Sequence, residues 1–204
     1  NIYFKVMLLN KGYLPLNKGC LFCWVGQGRH YFFKYMNDVG DMGIMEILLR
    51  NMASLYIIKH NKMLLLYRQG SRVVNHMWVG SAGGHFEENE LNNPKACILR
   101  ELQEELGITE HEIEDLRLRY ITLRRMENEV RQNYYFFAKL KDNISEELSS
   151  NEGISKWFSL SELAALEMPF TAKHVIEHYL NIGYKTDILY GGVANREKVL
   201  FTEF

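Results

Sequence analysis

Apolar residues fall in two kinds of register along this chain, and the switch between them marks out its elements. Ser54–His60 and Lys62–Arg68 are runs rich in Leu, Ile and Tyr on either side of Asn61, which predicts two strands joined by a tight turn. The polar stretch 69–75 reads as a loop. His76–Val79 reads as a short strand that gives way to the small residues Gly80-Ser81-Ala82-Gly83-Gly84. From Pro94 the spacing becomes helical: Ile98, Leu99, Leu102 and Leu106 share an arc of about 100° when each residue advances roughly 100°. Asn93-Pro94 is a helix start, with Asn as cap and Pro at the first helical position, and Gly107 is a stop. Further on, Leu116–Arg125 and Val130–Leu140 read as strands, and another strand ends at Trp157-Phe158. Ser161–Leu166 predicts a short helix capped by Ser159 or Ser161. Thr171–Asn181 predicts a longer one with Val175, Ile176, Tyr179 and Leu180 on one side. Ile188–Val193 and Lys198–Thr202 suggest a closing hairpin. Strands and helices interleave without internal repeats, so the expected fold is an α/β sandwich with a mixed sheet.

Composition narrows the class. A chain of 204 residues, 47% hydrophobic and 24% charged, is ordinary for a globular protein. A net charge of −1 argues against a dedicated nucleic-acid or membrane-surface binder. No apolar run approaches the roughly 18 residues of a membrane span. The first 37 residues contain no Asp or Glu, but five Lys or Arg and nine aromatics. Residues 1–45 therefore read as an N-terminal appendage and 46–204 as the main domain. The appendage could add strands to the sheet or to a partner subunit, which leaves a homodimer open. It is also readable as a non-native leader, because Met36, Met42, Met45 and Met52 cluster where domain-like patterning begins, or as a basic aromatic arm for nucleic acid. Asn1 is no initiator, which leaves room for chain upstream. Cys20, Cys23 and Cys97 are odd in number and one lies in the helical stretch, so no disulfide framework is expected and a reducing cytoplasm fits. Cys20 and Cys23 lack further zinc ligands nearby and read as small apolar residues.

The helical stretch carries the chemistry. Beside its apolar stripe, Glu101, Glu104 and Glu105 fill an adjacent arc of about 100°. Glu101 and Glu105 are one turn apart and can reach one ion. A solvated acidic face is the plain alternative. Against it, acids near a helix C-terminus oppose the helix dipole, and Arg100 stands ready to hold an upstream acid such as Glu90. Clustered carboxylates repel one another unless a cation joins them, and a divalent cation on hard oxygens points to a diphosphate substrate.

These residues resemble the Nudix box, G-x5-E-x7-R-E-U-x-E-E-x-G-U with U aliphatic. Gly84 and Glu90 match its first half, and Arg100 through Ile108 match the whole second half. Nine residues rather than seven separate Glu90 from Arg100, which reads as a longer Leu91-Asn92-Asn93 loop. The resemblance implies a Nudix-type α/β/α sandwich that hydrolyses a nucleoside diphosphate linked to another moiety. It also implies that Glu101, Glu104 and Glu105, with the backbone carbonyl of Gly83, bind Mg²⁺ or Mn²⁺. Gly84, Glu90 and Arg100 would shape the loop, and Gly107 would end the helix. The general base would be a box acid or an acid on an outside loop, for which Glu127 and Glu129 are the candidates.

Substrate signals are fainter. No proline lies between Pro94 and Pro169, which disfavours an ADP-ribose hydrolase, and Tyr120 is too near the box for a dinucleoside polyphosphate hydrolase. Trp78 before the glycine pair, and Trp157-Phe158 followed by Met168-Pro169-Phe170, resemble the MutT-type group that removes oxidised nucleotides such as 8-oxo-dGTP. Trp78, Tyr135, Phe137 and Phe170 are candidates to stack on a base. Lys173, Arg124, Arg125 and Arg131 are candidates to touch phosphates. Each is also readable as core packing or solvated charge. Two other functions stay in view: hydrolysis of another diphosphate, including an RNA 5′ end, and a non-catalytic nucleotide sensor. The balanced charge weighs against RNA, and the complete set of box carboxylates weighs against the sensor.

Overall fold

The computed structural model describes residues 21–26, 29–34, 47–69 and 76–204. Eleven strands form one mixed sheet. In chain order these are β1 (Leu21–Gly26), β2 (Arg29–Lys34), β3 (Ile47–Lys59), β4 (Lys62–Arg68), β5 (Met77–Val79), β6 (Ala82–His85), β7 (Ile113–Arg125), β8 (Glu129–Leu140), β9 (Ile154–Ser159), β10 (Tyr190–Ala194) and β11 (Val199–Glu203). The helices are α1 (Pro94–Leu106) and α2 (Phe170–Asn181).

Strand β3 is the spine. It runs parallel to β8, with Ala53 opposite Tyr134, and antiparallel to β6, with Ala53 opposite Gly84. Its far end turns into β4 at His60-Asn61. Alternate residues of a strand point to opposite faces. Ala53, Leu55 and Ile57 therefore pack with Ile98, Leu102 and Leu106 of α1 and with Phe136 and Ala138 of β8. Tyr56 and Ile58 pack with Val175, Ile176 and Tyr179 of α2 and with Phe137 and Tyr120. A strand covered on both faces loses its polar alternation, which is why β3 and β4 read as near-continuous apolar runs. This is the expected α/β/α sandwich.

Helix α1 forms where the spacing places it. The Asn93 side chain accepts from the Ala96 amide at 3.2 Å. Gly107 takes the left-handed conformation, φ 67°, and donates to Gln103 O at 3.0 Å.

Several elements differ from the expected ones. β3 begins at Ile47 rather than Ser54, because Arg50 and Asn51 interrupt an apolar pattern while remaining in the ladder. The small-residue stretch is itself a strand, β6, laid so closely on β3 that a Cβ on Gly83 would come within 2.4 Å of Ala53 O. The short helix at 161–166 shrinks to a 3-10 turn over Leu163–Ala165. There the Ser159 amide and hydroxyl both donate to the Glu162 carboxylate, so Ser159 holds the turn from outside. Of the expected appendage, β1 and β2 form an antiparallel hairpin, and Phe32 of β2 pairs with Ile47. Its remainder, with Cys20 and most of the 69–75 loop, lies outside the described residues. Among the described residues no helix is long and apolar enough to cross a membrane.

Removing the α1 cap should matter more than its surface position suggests, because α1 carries the acidic residues. Asn93→Ala is expected to cost about 1 kcal/mol of folding stability, read as a lower urea midpoint. A midpoint equal to that of the parent would show that the cap carries no weight.

Candidate functional site

One guanidinium organises the acidic side of α1. Arg100 clasps Glu90 with two bonds, Nε to Oε1 at 2.8 Å and Nη2 to Oε2 at 3.0 Å. The same side chain donates to Glu101 at 2.7 Å, to Glu104 at 3.0 Å and to the His85 carbonyl at 3.1 Å. The Arg100 bonds hold the Glu90 carboxyl below its usual range, and the Glu87 amide adds to that at 2.8 Å. The two extra residues of the loop do not disturb this clasp. A short 3-10 turn at Glu88–Glu90 and the turn at Leu91-Asn92 absorb them.

Glu105 is the deepest of the three acids on α1, its side chain 5% exposed. Its Oε2 accepts the Gly83 amide at 3.0 Å, and its Oε1 accepts Arg68 Nη2 at 2.7 Å. Burial pushes its carboxyl up to about 7, against the lowering pull of Arg68 and the Gly83 amide. Glu101, 12% exposed, is also raised by burial, with Arg100 opposing. Glu104 is the outermost, at 57% exposure. Gly84 makes room for the cluster: a Cβ there would lie 2.2 Å from Glu101 Oε1. Gly83 and Gly84 thus do different work, the first against the β3 backbone and the second against the acids.

A hard divalent cation suits this donor set. Two carboxylates are withdrawn from water, their pKa values are raised, and the only positive charges on them are arginines. Among the described residues, no three His, Cys, Asp or Glu side chains converge as ligands. Arg68 draws Glu105 toward β4, and Arg100 draws Glu104 outward.

Two neighbours of the acids carry no local signal in the chain. Arg68 ends the apolar run of β4 and bridges Glu105 to Glu152 at 2.9 Å. Glu152 sits in the stretch before β9, where the Asn151 side chain donates to the Glu104 carbonyl at 3.1 Å. That contact fills one of the free carbonyls at the end of α1. Only the return of the chain across the sheet brings these residues to the acids.

The other expected site residues scatter. Glu129 is not beside the cluster. It lies between Arg131 and Arg50, the latter at 3.4 Å, and their pull outweighs burial and holds its carboxyl low. A carboxylate so paired is a weak proton acceptor. Phe137 is 4% exposed, with Tyr179 stacked at 3.8 Å and Tyr56 at 5.2 Å. It packs in the core on the face opposite α1 and borders a cleft at the far end of β3, away from the acids. Tyr135 is buried as well. Trp78 is half-buried on the α2 side, tilted on Tyr67 at 4.9 Å and edge-on to Phe158 at 4.6 Å. Phe170 is half-buried and carries the Arg124 guanidinium at 4.5 Å. Arg125 is exposed, and strand alternation sends it to the face opposite Arg124. A cleft of 360 Å³ opens at the other end of β3, around Ile58, His60 and Tyr184. Its charges pair among themselves, Lys139 with Asp115 and Arg117 with Asp187, both at 2.6 Å.

Comparison with known proteins follows the same lines. The sequence model of the NUDIX domain matches residues 49–179. No curated protein matches the chain in sequence at a significant level. In structure, the chain is similar to the MutT protein of Methanosarcina mazei, with TM-score 0.55 and 21% identity over 68% of this chain and 96% of that one. It is similar to the MutT protein of Bacillus halodurans, with TM-score 0.52 and 22% identity over 76% and 97%. It is also similar to an Ap4A hydrolase of C. elegans, with TM-score 0.53 and 18% identity over 67% and 99%.

The ionised form of Glu105 opposes folding, because folding raises its pKa. That cost is absent below the ordinary value of 4.5, grows as pH rises, and is complete above about 7. Glu105→Gln is therefore expected to stabilise the metal-free protein by on the order of 2 kcal/mol at about pH 8, and not at about pH 4. Urea midpoints at the two pH values check this. An unchanged midpoint at the higher pH contradicts it.

Proposed function

The chain belongs to the Nudix family of diphosphate hydrolases, and on that premise we propose that it is a Mg²⁺- or Mn²⁺-dependent nucleoside triphosphate pyrophosphohydrolase of the MutT kind, removing oxidised nucleotides such as 8-oxo-dGTP. The observation that carries this reading is the arrangement of Glu101 and Glu105, buried side by side against a glycine pair with only arginines for countercharge. Glu101, Glu104 and Glu105, with the Gly83 carbonyl, would hold the metal. When bound, the ion neutralises the diphosphate and lowers the pKa of a bound water.

The protein groups have distinct tasks. Arg100 and Glu90 tie the loop between β6 and α1 to the helix. Burial of Glu105 keeps its proton affinity near neutrality, where an acid can take a proton and release it. Outside the box, Glu152 takes the role first sought at Glu129. Arg68 holds it beside Glu105, exposed enough to meet a substrate, whereas Glu129 lies away from the acids. Trp78 and Phe170, on the α2 side, are the aromatic surfaces left for a base once Phe137 is assigned to the core. A reducing cytoplasm suits the free, buried Cys97.

A second reading keeps the chemistry and changes the substrate to another nucleoside diphosphate derivative. The likeness to an Ap4A hydrolase motivates it. Incubation with Mg²⁺ and a nucleotide panel separates the two. Turnover of 8-oxo-dGTP well above dGTP supports the first. Cleavage of a different diphosphate with both dGTP forms untouched supports the second. Binding without any turnover contradicts both and favours a sensor. Glu105→Gln should lower kcat by at least about 100-fold while the protein stays folded. Glu152→Gln should lower it more than Glu129→Gln does. The reverse order would return the base to the β7–β8 turn.

A further inference from the structure

A row of guanidinium groups crosses the α2 side of the sheet and has no part in the scheme above. Arg50 of β3 is directly opposite Arg131 of β8, and Arg131 is directly opposite Arg124 of β7. Residues paired in this way project from one face, with strands about 5 Å apart. One end of the row touches the box, where Arg50 Nη2 lies 2.6 Å from Nε2 of His85, the residue after Gly84. The other end meets α2, where Arg124 stacks on Phe170 at 4.5 Å. Phe170 opens a helix of 12 residues with no side-chain cap and no acid in its first turn.

The charges in this row do not balance. Glu129 is the one carboxylate shared by Arg50 and Arg131, and among the described residues Arg124 pairs with no acid. Three guanidinium groups on neighbouring strands thus face one carboxylate, beside a helix N-terminus that itself favours anions. Arginine forks match phosphate oxygens.

We propose that Arg50, Arg131 and Arg124 bind a phosphate of the substrate beyond the two that flank the cleaved bond, and so select polyphosphates with at least three phosphates over diphosphates. This rests on the reading that the acids of α1 bind the diphosphate. The row then continues the phosphate path from Gly84 across β3, β8 and β7. The extra phosphate could belong to a triphosphate tail or to the far side of a dinucleoside polyphosphate, and the chemistry of recognition is the same.

The test uses the full chain in EDTA, so that the metal site is silent, with calorimetric titration of pyrophosphate and tripolyphosphate. Tripolyphosphate is expected to bind at least about tenfold tighter, and its affinity should fall steeply with salt. Arg124→Gln and Arg131→Gln should each lower tripolyphosphate affinity about tenfold and pyrophosphate affinity less than about twofold. Arg124→Gln leaves no carboxylate unpaired, so it remains informative if Arg131→Gln misfolds. Glu105→Gln should keep tripolyphosphate binding. If Glu105→Gln retains turnover, the metal assignment fails while the row stands. Equal affinity for the two anions, or an Arg124→Gln variant that binds tripolyphosphate like the parent, overturns the proposal. With Mg²⁺ present, the larger loss of kcat/KM in Arg124→Gln, for a nucleoside triphosphate or for a dinucleoside tetraphosphate, shows which source supplies the phosphate. A loss for neither overturns the proposal.

Discussion

Four carboxylates gather around a single helix turn, and the Arg100 guanidinium is what lets them do so. It grips Glu90 with two bonds and reaches Glu101, Glu104 and the His85 carbonyl with what remains of its donors. A lysine offers one compact charge and could not span these acceptors, whereas the planar fork matches them. Through Glu90 the same group ties the loop ahead of α1 to the helix. Through the His85 carbonyl it ties β6 to the helix as well. Glu105, the acid Arg100 does not reach, is held instead by Arg68 and the Gly83 amide.

The acids split into two roles according to their surroundings. Glu90 is buried but saturated by Arg100 and the Glu87 amide, so its ionised form is favoured in the folded state. It contributes stability that is present above the ordinary carboxylate range and lost as pH falls. Glu105 is buried and less well compensated, and its charge works against the fold. Its place between the Gly83 amide and Arg68 makes sense if a cation is to be received there. Stability lost at Glu105 is offset by the two cores, where Ile98, Leu102, Val175 and Ile176 are almost fully buried.

On the proposed reading, the sheet separates chemistry from recognition. Helix α1 and its acids lie on one face, while Trp78, Phe170 and the arginine row lie on the other. Strand β6 joins them at the centre. Gly83 and Gly84 serve the acids, and the next residue, His85, contacts Arg50 of the row. There the missing side chain of Gly83 admits the β3 backbone and that of Gly84 admits Glu101.

Most of the fold and half of the site were legible in the linear chain. The helical spacing from Pro94, the Asn93 cap, the Gly107 stop and the three acids beside an apolar stripe all depend on residues within about four positions of each other, and such local rules survive any tertiary arrangement. The Glu90–Arg100 pair was also visible, because the longer loop between them only bulges. What the sequence could not announce depends on strands that meet across the sheet. Arg68 and Glu152 reach Glu105 from residues far along the chain, and Glu129 is captured by Arg50 only because β3 and β8 run in parallel register. Phe137 and Phe170 are alike as letters, yet one is sealed between tyrosines and the other lies under an arginine. Periodicity tells which side of an element a residue occupies. Only the packed sheet decides what stands opposite it, because burial and charge pairing are properties of neighbours that the chain brings together from a distance.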